Sequence, residues 1–198
     1  MTYPSFYNQV ESIVLYDPLS DFLGAFEKGI IEFNYVDLVK SAGHSCPTIA
    51  GAYLIVQTAL KVLYPNAIPQ RGNFKISFKG SFEDGVIGVM SAAFTQITGS
   101  AGSGGFKGIA GNYSRNNLLI YDAAIDGEFQ FERRDTGEKA NIIYQPIPPH
   151  SPQQSLMKKI QAGNATSEEK NLFKQIWQNR VAQILLEHSN DSDVIRII

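Results

Sequence analysis

Cysteine is almost absent from this chain: of 198 residues only one, Cys46, is a cysteine. A lone thiol closes no internal disulfide, so the fold rests on packing, and Cys46 must be a core residue, a metal ligand or a reactive group. Long hydrophobic runs are missing too. No window approaches the roughly 20 apolar residues of a membrane helix, and the opening "MTYPSFYNQVESIVLYDPLSDF" has neither a basic leader nor an unbroken apolar stretch. The cytoplasm is the expected location, with no membrane partner. Nor is there an excess of charge: 17 basic against 19 acidic side chains leave a formal charge of -2 with no strong segregation. That balance provides no electrostatic footprint for nucleic acid.

What the chain does have is 43% apolar residues, enough for one substantial core. Residues Pro4 to Phe26 carry helix-like apolar spacing broken at Asp17-Pro18, which predicts two short helices. "IIEFNY" predicts a strand, and "VDLVKSAG" a brief helix ended by Gly43. Between Pro47 and Tyr64, Ile49, Tyr53, Val56, Leu60 and Leu63 recur at intervals of three and four, so a helix with one buried face is expected there. "FKISF" alternates as a half-buried strand does, and "FEDGVIGVMSAAFTQITG" predicts a second core helix weakened at its start by Gly85 and Gly88.

A glycine-rich segment, "GSAGSGGFKGIAGNYSRN", follows, and then three strand-like runs, "LLIYDAAI", "EFQFERR" and "KANIIYQ", expected as an antiparallel meander turning at Asp126-Gly127 and "DTGE". Past "PIPPHSPQQ" come a short helix and a long one reaching about His188, whose Thr166 and Glu169 fit a capping box. The order of elements predicts an α+β fold: a mixed sheet of about five strands flanked by helices, with a C-terminal helical tail. The expected division is residues 1–149 as an α+β domain and 150–198 as a helical extension.

The chemistry concentrates in "SAGHSCPTIAGAY", residues 41–53. With Pro47 at the first helical position, Cys46 is the N-cap, where free backbone N–H groups and the helix macrodipole favour a thiolate. His44, two residues earlier, offers an imidazole as metal ligand or base. The glycine-rich segment lacks the serine or threonine that a phosphate-binding G-x-x-x-x-G-K-[ST] loop needs after its lysine, because residue 108 is glycine. Its glycines, Gly104 and Gly105 among them, are expected to let backbone approach closely either the core helix or a pocket containing Cys46, where Lys107, Tyr113 and Arg115 could offer cationic and phenolic groups to an anionic ligand.

The string "DLVKSAGHSCPTIAGAY" resembles the G-H-x-C-P signature of the formylmethanofuran dehydrogenase E-subunit family, and "ITGSAGSGGFKGIAG" is similar in placement to that family's T-G-C segment. The likeness spans about residues 36 to 122. It implies an α+β domain with a mixed sheet, often dimeric, with a divalent metal such as zinc near the histidine and cysteine, here His44 and Cys46. Val89 and Ser100 stand where members associated with the methanogenic enzyme carry cysteines, and Ala92 where they carry an aspartate. A cysteine-free tail replaces the C-terminal zinc finger of many members, so the resemblance is to the core domain and does not imply methanofuran chemistry.

Three functions follow as expectations. The first is a metal-binding protein, forming a homodimer and taking a small ligand, in which His44 and Cys46 hold a divalent transition metal, zinc by ligand softness. The second is a metal-free thiol enzyme or redox sensor with Cys46 as nucleophile and His44 as its base. The third is an assembly module in which Cys46 is merely packed.

Overall fold

A computed structural model describes residues 2–198. After a 3-10 turn at Ser5–Gln9 the chain forms strand β1 (Ile13–Tyr16), helix α1 (Pro18–Leu23) and strand β2 (Ile30–Phe33), and β1 and β2 pair antiparallel as a separate two-stranded sheet. This corrects the expected pair of N-terminal helices. Four consecutive branched or aromatic residues, Ile13 to Tyr16, find a partner strand in β2, and cross-strand pairing outweighs the weak helical spacing. Asp17 does start a helix, its carboxylate accepting from the backbone of Leu19 at 3.0 Å and Ser20 at 3.2 Å, with Pro18 at the first helical position.

Helix α2 (Tyr35–Ala42) ends at Gly43, whose φ of 75° is the left-handed turn that glycine adopts without strain. Helix α3 (Pro47–Leu63) then crosses the middle of the molecule, with helix α4 (Ile87–Thr98) packed along it. Twelve α3 residues are buried, so the expected single buried face understates it. Small residues Ala50, Gly51 and Ala52 on the remaining sides let the sheet approach as closely as the helices do. Helix α4 begins at Ile87, later than expected. Residues 81–84 instead make a turn in which the Asp84 carboxylate accepts from the Ser81 N–H at 2.9 Å.

The main sheet runs β4 (Leu119–Ile120), β3 (Phe74–Phe78), β5 (Phe129–Arg133), β6 (Lys139–Tyr144), β7 (Ile195–Ile197), with all pairs antiparallel except β3–β4. The expected α+β architecture with a mixed five-stranded sheet is therefore present. The meander is not. The β5–β6 hairpin forms through "DTGE", but β4 lies beyond β3, because Asp122 and Ala123 donate to Gly80 and Phe78 and carry the chain past the end of β3. The inner face stacks Phe78 opposite Phe129 and Ile76 opposite Phe131 in register against α3 and α4.

Helices α5 (Ser151–Gln161) and α6 (Ser167–Ala182) follow. In the capping box of α6, Glu169 N–H donates to Thr166 Oγ1 at 3.2 Å and Thr166 N–H donates to Glu169 Oε2 at 3.0 Å. A π-helical turn, Gln183–Glu187, continues α6 and buries Ile184 and Leu185 beside α3; the chain then forms β7 on the sheet edge, a strand too short to announce itself in the pattern.

Candidate functional site

Four residues, Gly43 to Cys46, link α2 to α3, and the last three are each held differently. Ser45 is buried: its hydroxyl shares a hydrogen bond with the Tyr35 hydroxyl at 2.9 Å, and its carbonyl accepts from Trp177 Nε1 at 2.8 Å and Gln178 Nε2 at 3.5 Å. The middle of α6 thus clamps the loop from outside. Cys46 is the N-cap of α3 in extended conformation (φ -151°), with Pro47 following, and its side chain makes no capping hydrogen bond. The thiol is half-buried and packs against the core, within electrostatic reach of Tyr35, Tyr144 and Arg180.

His44 is exposed, and its Nδ1 lies 2.9 Å from the Ala42 carbonyl. A carbonyl only accepts, so this bond puts the proton on Nδ1 and leaves the lone pair of a neutral ring on Nε2. That is how metal-ligating histidines are commonly oriented.

One cation and two phenols lie within electrostatic reach of Cys46. Burial pulls the Arg180 pKa down, opposed by Tyr144 and Cys46, which favour its charged form, while its Nε and Nη2 both donate to the Ile147 carbonyl. Burial pushes the Tyr35 and Tyr144 hydroxyls up, so both stay neutral donors at physiological pH. Tyr144 spends its proton on the Pro47 carbonyl at 2.8 Å. Because Trp177 fixes the loop through one bond, Trp177→Phe is expected to cost about 1 kcal/mol of stability and to speed alkylation of Cys46. Urea unfolding and iodoacetamide kinetics measure the two effects.

The residues predicted from sequence fall in three places. His44 and Cys46 are neighbours on the α2–α3 loop. Near them, Thr48 and Tyr144 line a cavity of about 340 Å³ walled by Val86, Ile87, Met90 and Phe129, with Lys79 and Glu128 as its charged groups. Gly104 and Gly105 line a wide groove of about 750 Å³ between α4 and β4, which Ala92 also lines; Lys107 is exposed farther along the loop. Tyr113 and Arg115 meet in a third, polar pocket of about 220 Å³. None of these cavities has residues of the glycine-rich segment and the His44–Cys46 loop together in its lining. Of the two positions where members of the resembled family carry cysteines, Ser100 is fully buried and donates to the Phe74 carbonyl at 2.7 Å, while Val89 is exposed.

Sequence reasoning does not single out Tyr35, Tyr144, Trp177 or Arg180 as neighbours of Cys46. They reach it from α2, β6 and α6 across up to 134 positions of chain, and nothing in local spacing points there.

As a metal site the donor chemistry fits and the donor count is partial. One imidazole nitrogen and one thiolate suit a borderline ion such as zinc. Among the described residues no group of three or more His, Cys, Asp or Glu side chains is gathered closely enough to hold an ion. His44 and Cys46 together would supply two of the four ligands of a tetrahedral site.

The family described as "FmdE, Molybdenum formylmethanofuran dehydrogenase operon" matches residues 42–191. The match begins just before His44 and runs through α5 and α6, well past the two motifs that carry the resemblance. No curated protein and no solved structure matches the chain. Among the described residues no helix is long and apolar enough to cross a membrane.

Proposed function

The chain belongs to the FmdE family, and from that premise we propose that it is a cytoplasmic metal-binding member in which His44 and Cys46 hold a divalent transition metal, zinc by donor softness, and a small ligand occupies the adjoining cavity. The observation that carries this reading is the pair of uncommitted donor atoms on one four-residue loop: a thiol at a helix N-terminus without a capping bond, and a histidine whose Nδ1 is spent on the Ala42 carbonyl. When bound, the ion supplies Lewis acidity to a ligand in an open coordination position. The chain's own part is positional. Tyr35, Trp177 and Gln178 hold the loop rigid, Arg180 lies within electrostatic reach of Cys46, and Val86, Ile87 and Met90 give the ligand an apolar wall.

The remaining coordination positions are filled from outside the chain, and we place the protein in a homodimer. Phe82, Val86 and Val89, exposed by 56%, 47% and 45%, form an apolar patch at the start of α4 that a second copy would cover.

Element-specific metal analysis of protein purified without added metal tests the reading. Stoichiometric zinc in the wild type, lost in both Cys46→Ser and His44→Ala, is the expected result; metal-free wild type, or zinc retained in both variants, refutes it. The Arg180 guanidinium, within electrostatic reach of Cys46, gives a second reading, a metal-free thiol that acts as nucleophile or redox sensor. That reading predicts a metal-free protein whose Cys46 alkylates rapidly at neutral pH, with the rate falling in Arg180→Gln.

A further inference from the structure

Where β1 runs into α1, away from the α2–α3 loop, one carboxylate serves two cations, one buried and one half-buried. Asp17 receives hydrogen bonds from Arg71 and Arg115 while also capping α1. The two arginines are not equally occupied. Arg71 uses all three of its side-chain nitrogens, donating from Nε to the Ile97 carbonyl at 2.8 Å, from Nη2 to the Gln96 carbonyl at 2.9 Å and from Nη1 to Asp17 at 3.0 Å. The Arg115 guanidinium has five N–H donors, and among the described residues its only hydrogen bond is the one from Nη2 to Asp17. Its side chain is nevertheless only 10% exposed. Its remaining N–H groups are not sealed from solvent: they face the pocket and are open to an acceptor there.

The space around Arg115 is built for it. A Cβ on Gly99 would stand 2.6 Å from Nη1 and one on Gly72 would stand 3.3 Å from Nε, and both glycines have positive φ (74° and 82°). At the rim, Arg134 donates to the Gly72 and Ser114 carbonyls, which are neutral, so its charge is uncompensated. No acidic side chain lines the pocket among the described residues. Three arginines against the single carboxylate of Asp17 leave an excess of positive charge, with the hydroxyls of Tyr113 and Ser114 and the amide of Asn112 completing a polar wall. Planar guanidiniums match tetrahedral oxyanions bidentately.

We propose that this pocket binds a phosphate dianion, either free phosphate or the head of a small phosphomonoester, with Arg115 and Arg134 as its principal ligands. The site is independent of His44 and Cys46 and stands or falls without them.

Calorimetry and thermal melting of the intact chain, with inorganic phosphate and with glycerol 3-phosphate at constant ionic strength, test it. Binding of either probe is expected, with Tm rising by roughly 5–10 °C at a hundredfold excess over Kd. Arg134→Gln leaves the Asp17 pairs intact, so its unliganded Tm should fall by only a few degrees, for the bonds to the Gly72 and Ser114 carbonyls, while affinity falls at least tenfold. Arg115→Lys keeps a charge for Asp17 but loses the planar fork, and it should weaken binding similarly. Tighter binding of the ester identifies a phosphomonoester and equal binding identifies free phosphate; both support the site. Neither heat nor a Tm rise with either probe overturns it, as does equal affinity in wild type and both variants.

Discussion

Asp17→Ala is expected to lower the stability of the folded chain at neutral pH by about 3–5 kcal/mol, because removing one partner of a buried ion pair leaves uncompensated charge. Here the penalty falls on Arg71 and Arg115 together, whose side chains are 18% and 10% exposed, and α1 loses its cap at the same time. The midpoint of urea unfolding measures it, and a loss below about 1 kcal/mol would place the network among surface pairs of little consequence. The pH dependence has a definite sign. Burial pushes the Asp17 carboxyl up, but hydrogen bonds from Arg115 and Arg71 outweigh it and hold the pKa below the ordinary carboxylate value. A group depressed in the folded state contributes fully above its unfolded pKa, about 3.9, and loses that contribution as pH falls through the folded value. The gap between wild type and variant should therefore close as pH drops below about 4.

The second large effect lies beside Cys46. A Cβ on Gly51 would stand 2.2 Å from Cε1 and 2.3 Å from Cζ of Tyr144, whose ring is buried and whose hydroxyl donates to the Pro47 carbonyl. Neither α3 nor β6 can retreat, so in Gly51→Ala the ring must leave its place. Overpacking and the lost hydrogen bond together cost about 3–4 kcal/mol, offset by about 1 kcal/mol of helix propensity. A net loss of about 2–3 kcal/mol follows. Truncating the ring should remove the clash, so Gly51→Ala combined with Tyr144→Ala is expected to be clearly less harmful than the sum of the two. Strict additivity in urea unfolding would mean that the two residues do not meet. Since Tyr144 also borders the cavity beside Thr48, Gly51→Ala should in addition impair whatever that cavity holds.

Local signals in the chain were sufficient for some elements and silent on others. Pro47 after an N-cap cysteine, Gly43 in left-handed conformation, Thr166 with Glu169 and the "DTGE" hairpin all act within a few residues of themselves, and each forms where its local chemistry demands. Ile13 to Tyr16 is a short apolar run that periodicity cannot divide between helix and strand; the decision lies with β2, a partner strand on the far side of α1. The place of β4 across β3 and the three-residue β7 depend on distant pairing in the same way. The candidate site divides along the same line. His44 and Cys46 were visible because they are two residues apart, whereas Tyr144, Trp177 and Arg180 are delivered by tertiary packing. Arg115 was visible as a cation near a glycine-rich loop, but its link to Asp17, 98 positions away, was not.

X-ray absorption at the zinc edge of the protein reconstituted with one equivalent of zinc puts the central claim to its most direct test. Coordination by His44 and Cys46 predicts one sulfur scatterer at about 2.3 Å and one imidazole nitrogen at about 2.0–2.1 Å, with the sulfur lost in Cys46→Ser and the imidazole in His44→Ala. A first shell of oxygen and nitrogen alone, unchanged by either substitution, would contradict it.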